Sequence, residues 1–357
     1  MRLSVAKNIV KSAIKRQLEL AKDSTTDEHK FIIPYLQGLV GIGKTSIVKQ
    51  GAAELSEELG LKIFVNVVDL TLYDPAELAG LLMPSKDTLD MHRHVPDWLL
   101  PKEFIEGDYD IIVYFFDELP QATKIIMNIF GQIVQGRRIG NHKLPTASAI
   151  VCAGNRQEDR AGTNPIPNQI KDRLAFLDIT LHLGDAISHL TASGIHEAFV
   201  AFLGFKPERL HTFQPDVDKF STPRGIEKAS DVYSNWGLSP MELRETLNGI
   251  LGKSTTTEFF GFLEVYDVVP NIDDLIANPM TAEIPDRADV TYAVCASLAA
   301  KANGKNIGNI IQYVKRLDAG EFAAFVVKGA IQNIPNHKSN PAIRNWAVEG
   351  GGKELLL

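Results

Sequence analysis

Cysteine is scarce in this sequence, and so are long apolar runs. The 357 residues include two cysteines, Cys152 and Cys295, which lie far apart and belong to no CxxC or Cys/His cluster. This excludes a disulfide framework and a structural zinc site, and it predicts a protein of the reducing cytoplasm. The longest apolar runs, such as Ile111 to Phe116, fall far short of the roughly 20 residues that a membrane-spanning helix needs.

An excess of basic residues is also missing. Lys and Arg number 37 against 44 Asp and Glu, which gives a formal net charge of −7. A broad basic surface for nucleic acid is therefore not favoured, although a local groove stays open. Residues 1–22 lack the continuous apolar core of a signal peptide; their spaced apolar residues and lysines predict an amphipathic helix packed on the first domain.

Up to about residue 184 the sequence alternates between strand and helix patterns. Strands are predicted at 31–36, 62–68, 109–116, 147–153 and 175–181, and helices at 44–59 and 121–134. Such alternation builds a parallel sheet covered by helices, so the fold class is predicted as α/β. Helices broken by Gly and Pro follow. We predict an α/β core over 1–184, a helical lid over 185–236 and a helical extension over 237–357.

Three glycines, a lysine and two hydroxyls stand between the first strand and its helix. The segment Gly38 to Ser46 reads GLVGIGKTS and fits the pattern G-x-x-x-x-G-K-[ST]. In such a loop the backbone N–H groups point at phosphate oxygens, the lysine reaches the β and γ phosphates, and the Thr45 hydroxyl holds Mg²⁺. The predicted nucleotide ligands are Gly38, Gly41, Ile42, Gly43, Lys44, Thr45 and Ser46. An ordinary glycine-rich turn is the weaker reading, because a strand precedes the loop and a helix follows it.

An acidic pair follows the most apolar strand of the chain. The run Ile111 to Phe116 ends in Asp117 and Glu118. An acid at the carboxyl end of a buried strand beside a phosphate loop can hold Mg²⁺, and the next carboxylate can act as the general base on a water. Asp117 is therefore the metal-side candidate and Glu118 the candidate base. Standing alone, the pair would be read as a solvated strand end.

The ordered segments GLVGIGKT, YFFDE, VCAGN, KDRLAF and STPRG resemble an AAA+ ATPase, most closely the MoxR-type branch that is similar to dynein-related ATPase modules. The resemblance is strong from about Tyr35 to Gly225. It implies a P-loop NTPase core followed by a helical lid and extension, with ATP and Mg²⁺ bound between the subunits of a homo-oligomeric ring, expected to be a hexamer. It also implies a protein partner that bears a von Willebrand factor A type domain.

The same resemblance assigns three further residues. Asn155 matches the sensor that helps hold the attacking water, since an amide can both donate and accept. Arg173 matches the arginine finger that one subunit offers in trans to its neighbour's ATP, with Arg156 and Arg160 as rival fingers. Arg224 matches the second sensor at the start of a lid helix. Loop capping, surface ion pairs and helix-start chemistry are the alternatives for these side chains.

Three features limit or extend the resemblance. The loop has Leu39-Val40 where many relatives have proline, and Asn66 matches weakly a residue that restrains the catalytic glutamate. The segment from Leu70 to Phe104 lies where MoxR-like proteins have insertions, and we predict a contact surface there. The competing functions are a nucleic-acid motor or loader on the same core, and a nucleotide switch that assembles without hydrolysis.

Overall fold

The computed structural model describes the chain except for residues 23–29, 85–90, 157–162, 215, 267–269, 318–319, 332–333, 335–336 and 352–357. It divides into two compact units, Met1–Leu181 and His182–Leu357. Along the described residues, no helix is both long and apolar enough to cross a membrane.

The first unit is the α/β part of the molecule. Its elements in chain order are α1 (Leu3–Ala21), β1 (Ile33–Gln37), α2 (Lys44–Leu59), β2 (Ile63–Asp69), α3 (Pro75–Ala79), β3 (Leu82–Pro84), β4 (Met91–Arg93), α4 (Lys102–Glu106), β5 (Ile111–Asp117), α5 (Lys124–Gly136), β6 (Arg138–Ile139), β7 (His142–Lys143), β8 (Ser148–Gly154), α6 (Asn168–Lys171) and β9 (Leu174–Asp178).

Five of these strands form one parallel sheet in the order β2-β5-β8-β1-β9. The middle strand β8 is buried along its whole length, and β5 is buried up to its last residue, Asp117. Strands that are covered on both faces read as continuous apolar runs, which is why their sequences show no alternation. The short pairs β3–β4 and β6–β7 are separate antiparallel hairpins, which the sequence patterns did not predict.

Helices cover both faces of the sheet. On one face, α1 and α2 pack through residues such as Val10, Ile14 and Val48. On the other face, α5 buries an apolar stripe at helical spacing, Ile126, Met127, Phe130 and Ile133. Each such side chain contributes roughly 1.5–3 kcal/mol when buried. The two cores therefore cover the two faces of the sheet.

One side chain of α1 reaches into the sheet itself. Gln17 is 1% exposed, and its amide donates 2.9 Å to the carbonyl of Ile150 and accepts 2.8 Å from the Ile150 N–H. Strand β1 pairs with β8 only from Tyr35 onward, so these two backbone groups of β8 lack a strand partner. Gln17 satisfies them, because buried peptide groups without partners are costly.

All regular secondary structure among the described residues of the second unit is helical. Its helices are α7 (Leu183–Ala192), α8 (Glu197–Phe205), α9 (Pro223–Asn235), α10 (Pro240–Leu251), α11 (Lys253–Tyr266), α12 (Ile272–Ala277), α13 (Ala288–Lys301), α14 (Ile307–Val314), α15 (Gly320–Ile331) and α16 (Pro341–Trp346). Phe199 of α8 stacks on Phe259 of α11 at 4.2 Å between ring centroids. The predicted fold class, an α/β P-loop core followed by a helical part, is confirmed; the finer division at residue 236 stays a prediction.

Candidate active site

The sheet order brings three strand ends together at one edge. Gln37 of β1 pairs with Gly154 of β8, and Phe116 of β5 pairs with Cys152 of β8. Continuing this register, Gly38 of the loop is level with Asn155, and Glu118, the residue after β5, is level with Gly154, one residue before Asn155. Because neighbouring strands are about 4.8 Å apart, Asn155 lies between a loop and a carboxylate that are roughly 10 Å from each other.

The glycines of the loop shape its curl. Gly41 and Gly43 have φ of 75° and 97°, in the left-handed region that favours glycine. A Cβ on Gly38 would lie 2.6 Å from the Ile42 side chain and 3.1 Å from the Ile179 carbonyl, whereas one on Gly43 would meet nothing within 4 Å. Ile42 itself is 3% exposed, with its side chain in the core. The loop thus offers backbone rather than side chains toward the open side.

Lys44 begins helix α2 and is only 9% exposed. Its ammonium donates to the carbonyls of Gly38 at 2.8 Å and Leu39 at 3.0 Å, and to Oδ1 of Asn155 at 2.8 Å. A buried charge is tolerated when it is this well hydrogen-bonded. The cation is held at the centre of the loop, where phosphate oxygens would need it.

Thr45 and Asp117 form the second contact of the site. The Thr45 hydroxyl donates to Oδ2 of Asp117 at 3.2 Å. The other oxygen of Asp117 accepts from the backbone N–H of Glu118 at 2.9 Å, which fixes the carboxylate orientation. A hydroxyl and a carboxylate side by side are the oxygen donors that Mg²⁺ takes from a protein when the substrate's phosphates supply further ligands.

Glu118 has a strained backbone. Its φ of 55° and ψ of 33° are left-handed, a conformation that costs a non-glycine residue on the order of 1–2 kcal/mol. A turn stabilises this backbone conformation, since the Gln121 N–H donates to the Glu118 carbonyl at 3.0 Å. Such an outlier is a reason to suspect function, since it turns the side chain toward the loop.

Asn155 connects the two charged groups. Its Nδ2 donates to Oε2 of Glu118 at 3.1 Å, while its Oδ1 accepts from Lys44. The amide orientation is dictated by its partners, because an ammonium needs an acceptor and a carboxylate needs a donor. An aspartate could not serve both. The result is a series, Lys44–Asn155–Glu118, that spans three strand ends and in which Lys44 and Asn155 are buried and Glu118 is half-buried.

The residues fit a magnesium-bound nucleotide. The described residues contain no group of three or more His, Cys, Asp or Glu side chains that could hold a metal alone. Mg²⁺ does not need one, since it is commonly bound by one or two carboxylates together with substrate phosphates and water. The Thr45–Asp117 pair beside an open glycine cradle meets that requirement.

The predicted arginines lie elsewhere. Arg173 precedes β9 and donates to the Gln169 carbonyl at 2.7 Å, at the amino edge of the sheet. Arg156 pairs with Asp178 at 2.8 Å and donates to the Ile179 carbonyl at 2.9 Å, so it is engaged within its own unit. Arg224 is exposed on the first turn of α9 in the second unit. Arg160 lies outside the described residues.

Two side chains have positions that the sequence patterns did not indicate. Asn66 donates to the Trp98 carbonyl at 2.7 Å and so connects β2 with the residues that follow it, whereas the partner of Glu118 is Asn155.

Tyr35 of β1 is 1% exposed. Burial raises its pKa well above the ordinary range, and the nearby Cys152, Glu118 and Asp117 raise it further. An isolated tyrosine in an apolar strand reads as core, so only the sheet order reveals its proximity to the acids.

Comparison with known proteins gives distant likenesses. No family model matches the chain, and no curated protein matches it in sequence. Among solved structures it is similar to a proline-to-glycine mutant of Thermotoga maritima RuvB (14% identity, 77% of each chain, TM-score 0.36). It is also similar to a putative ATPase from Cytophaga hutchinsonii (13%, 83% of this chain and 82% of that one, TM-score 0.31). The S. cerevisiae Hsp104–ADP complex aligns with 94% of this chain and 46% of its own (14%, TM-score 0.33). At these values the likenesses do not establish a family.

Proposed function

We propose that the chain is an AAA+ type ATPase that hydrolyses ATP with Mg²⁺ in a homo-oligomeric ring. The observation that carries the proposal is the series Lys44–Asn155–Glu118, which joins a glycine-rich loop to a carboxylate across three strand ends. A structural turn has no need of a buried lysine on one side and a strained glutamate on the other. Charged side chains that are partly or fully buried and joined by hydrogen bonds are typical of catalytic sites.

The loop would bind the phosphates. Backbone N–H groups from Gly41 to Ser46 and the amino end of α2 offer hydrogen bonds and a positive dipole end to an anion. Lys44 would exchange a loop carbonyl for a phosphate oxygen, which is the stronger, charge-assisted partner. Thr45 and Asp117 would hold Mg²⁺, which neutralises charge on the phosphate oxygens during transfer.

Glu118 would act on the attacking water. Its carboxylate can accept the water's proton, and general bases contribute about 10²–10⁴ in rate. One N–H of the Asn155 amide orients Glu118, and the second N–H of the same amide can donate to the γ phosphate. One network would therefore orient both groups.

The ring is proposed from the sequence resemblance and from the position of Arg173. One strand length, five residues or roughly 16 Å, separates Arg173 from the catalytic edge of its own unit. A guanidinium that is hydrogen-bonded to one carbonyl at that distance is suited to contact the ATP of a neighbouring subunit.

We extend the proposal to a hexamer, to Arg224 as a second sensor, and to remodelling of a protein partner with a von Willebrand factor A type domain. The buried, unpaired thiols of Cys152 and Cys295 favour a cytoplasmic location.

Binding and turnover of ATP test the core of this proposal. Lys44→Ala should abolish detectable ATP binding and phosphate release, measured with a fluorescent ATP analogue and a phosphate assay, and removal of Mg²⁺ by a chelator should stop turnover. Lys49→Ala is the matched control, since Lys49 is an exposed lysine of the same helix. Wild-type protein that neither binds nor hydrolyses ATP would refute the proposal.

A further inference from the structure

A polar cavity lies beside the catalytic edge of the first unit. It has a volume of about 460 Å³ and is lined by Tyr35, Gln37, Pro120, Asn155, Asn164 and Lys171 together with apolar neighbours. Two of its walls belong to the site already described: Asn155 itself, and Pro120, which follows Glu118 by two residues. A cavity of this size with several polar groups holds water.

The Tyr35 hydroxyl occupies the gap between those two walls. A Cβ on Gly154 would lie 2.7 Å from this hydroxyl and 2.2 Å from Cδ of Pro120, so the three groups are closely packed. Gly154 immediately precedes Asn155. The ring of Tyr35 is fixed from the other side by Phe176, in an edge-on contact at 4.8 Å between centroids. The hydroxyl thus points to where the Asn155 strand end meets the turn that contains Glu118.

Tyr35 is only 1% exposed, and it is part of the cavity lining. Buried tyrosine hydroxyls usually find a partner, because an unsatisfied donor in an apolar setting is costly. The cavity supplies one, since Tyr35 is part of its lining. Water in the cavity can therefore connect the hydroxyl with the amide of Asn155, which in turn donates to the carboxylate of Glu118.

We propose that Tyr35 is a positioning residue, whose hydroxyl acts through water in this cavity to orient Asn155 and, through Asn155, the carboxylate of Glu118 for attack on ATP. The inference rests on the proposed function and adds a residue that lies in neither the loop nor the acidic pair. Tyr35 touches no reacting atom; it acts on the Asn155 side of the site.

The charges around Tyr35 are consistent with a donor role. Burial raises the pKa of its phenol most, and Cys152, Glu118 and Asp117 raise it further, so the hydroxyl keeps its proton at physiological pH. Cys152, its register partner on β8, is equally kept as a thiol, because burial and then Asp117 raise its pKa. A protonated phenol beside carboxylates can only stabilise them by donating, directly or through water.

Tyr35→Phe tests the inference, because it removes the hydroxyl and keeps the ring against Phe176. We expect kcat for ATP hydrolysis to fall about three- to tenfold, the effect of one lost hydrogen bond, with KM and the dissociation constant of a non-hydrolysable ATP analogue unchanged. The matched control is Tyr114→Phe. Tyr114 is another buried strand tyrosine, and its hydroxyl donates to the Leu99 carbonyl at 2.5 Å. It should lower the melting temperature and leave kcat unchanged.

The outcomes separate the two proposals. If the wild type hydrolyses ATP and Tyr35→Phe matches its kcat, the role of Tyr35 is overturned and the ATPase proposal stands. A fall in melting temperature without a change in kcat, as expected for Tyr114→Phe, would also overturn it, since that is the result of a structural residue. A wild type that does not hydrolyse ATP would refute the proposed function and this inference with it.

Discussion

The two edges of the parallel sheet hold their charged residues in different ways. At the carboxyl edge, Lys44 is 9% exposed and has three close hydrogen-bond acceptors, and Glu118 is bonded by Asn155. At the amino edge, Arg173 has one backbone partner, and the Arg16–Glu19 pair is 65% and 49% exposed. The carboxyl edge therefore fixes its charged side chains with several hydrogen bonds, whereas those of the amino edge are more exposed and have fewer bonds.

Of the substitutions that compare the two edges, Arg173→Ala is expected to change the rate of ATP hydrolysis most. If Arg173 completes a neighbour's site, the hydrolysis rate per subunit should fall about 10³-fold or more, as for other arginine fingers, while ATP binding persists. The measurement is the specific rate against protein concentration, with mass by light scattering. Arg16→Ala, an exposed arginine of the same unit, is the control and should leave the rate unchanged. A specific rate that does not change with protein concentration and is the same in Arg173→Ala would refute an active site shared between the subunits of a ring.

Asn155→Asp should lower kcat by about 10²-fold or more, because a second carboxylate would repel Glu118 and the γ phosphate at the point where a donor is needed. The expected KM change is smaller. Asn128→Asp on the exposed side of α5 adds the same charge away from the site and controls for net charge. Equal kcat in the two variants would mean that the amide is a loop cap.

Gln17→Ala should destabilise the first unit without touching the site. It leaves the N–H and carbonyl of Ile150 without the partner they have now, at about 1–3 kcal/mol each. Urea unfolding should show this loss, while the dissociation constant for ATP stays near the wild-type value under folding conditions. A variant as stable as the wild type would show that water or a shift of α1 replaces the glutamine.

Glu19→Ala is expected to have the smallest effect. Its ion pair with Arg16 is exposed on both sides, so the free energy of unfolding should change by no more than about 0.5 kcal/mol. Urea unfolding at low and high salt measures it. A larger, salt-sensitive loss would show that the amino edge is held as firmly as the carboxyl edge.

Local signals predicted the elements around the site well. Helix α2 begins and ends where expected, because Gly43 and Gly60 are left-handed at its two ends. The strand predicted at 175–181 ends instead at Asp178, since its partner β1 ends opposite at Gln37 and no further ladder is possible. Sequence periodicity shows where a strand is apolar, and pairing decides where it stops.

The order of the strands could not be read from the sequence. The motifs indicated the loop, the acids and Asn155 separately, but the insertion of β8 between β5 and β1 makes Asn155 the bridge between Lys44 and Glu118. The same tertiary fact brings Tyr35 near the acids. The sequence pattern does not predict the hairpins β3–β4 and β6–β7, because strands of two or three residues are too short to show a periodicity.

The most direct test of the central claim is ATP binding and steady-state phosphate release by the wild type and by Glu118→Gln. Glutamine keeps the size of the side chain and can still contact Asn155, but it cannot accept a proton. The account predicts that ATP binds with wild-type affinity while kcat falls about 10²–10⁴-fold. Turnover equal to that of the wild type would contradict it, because Glu118 would then not be the base.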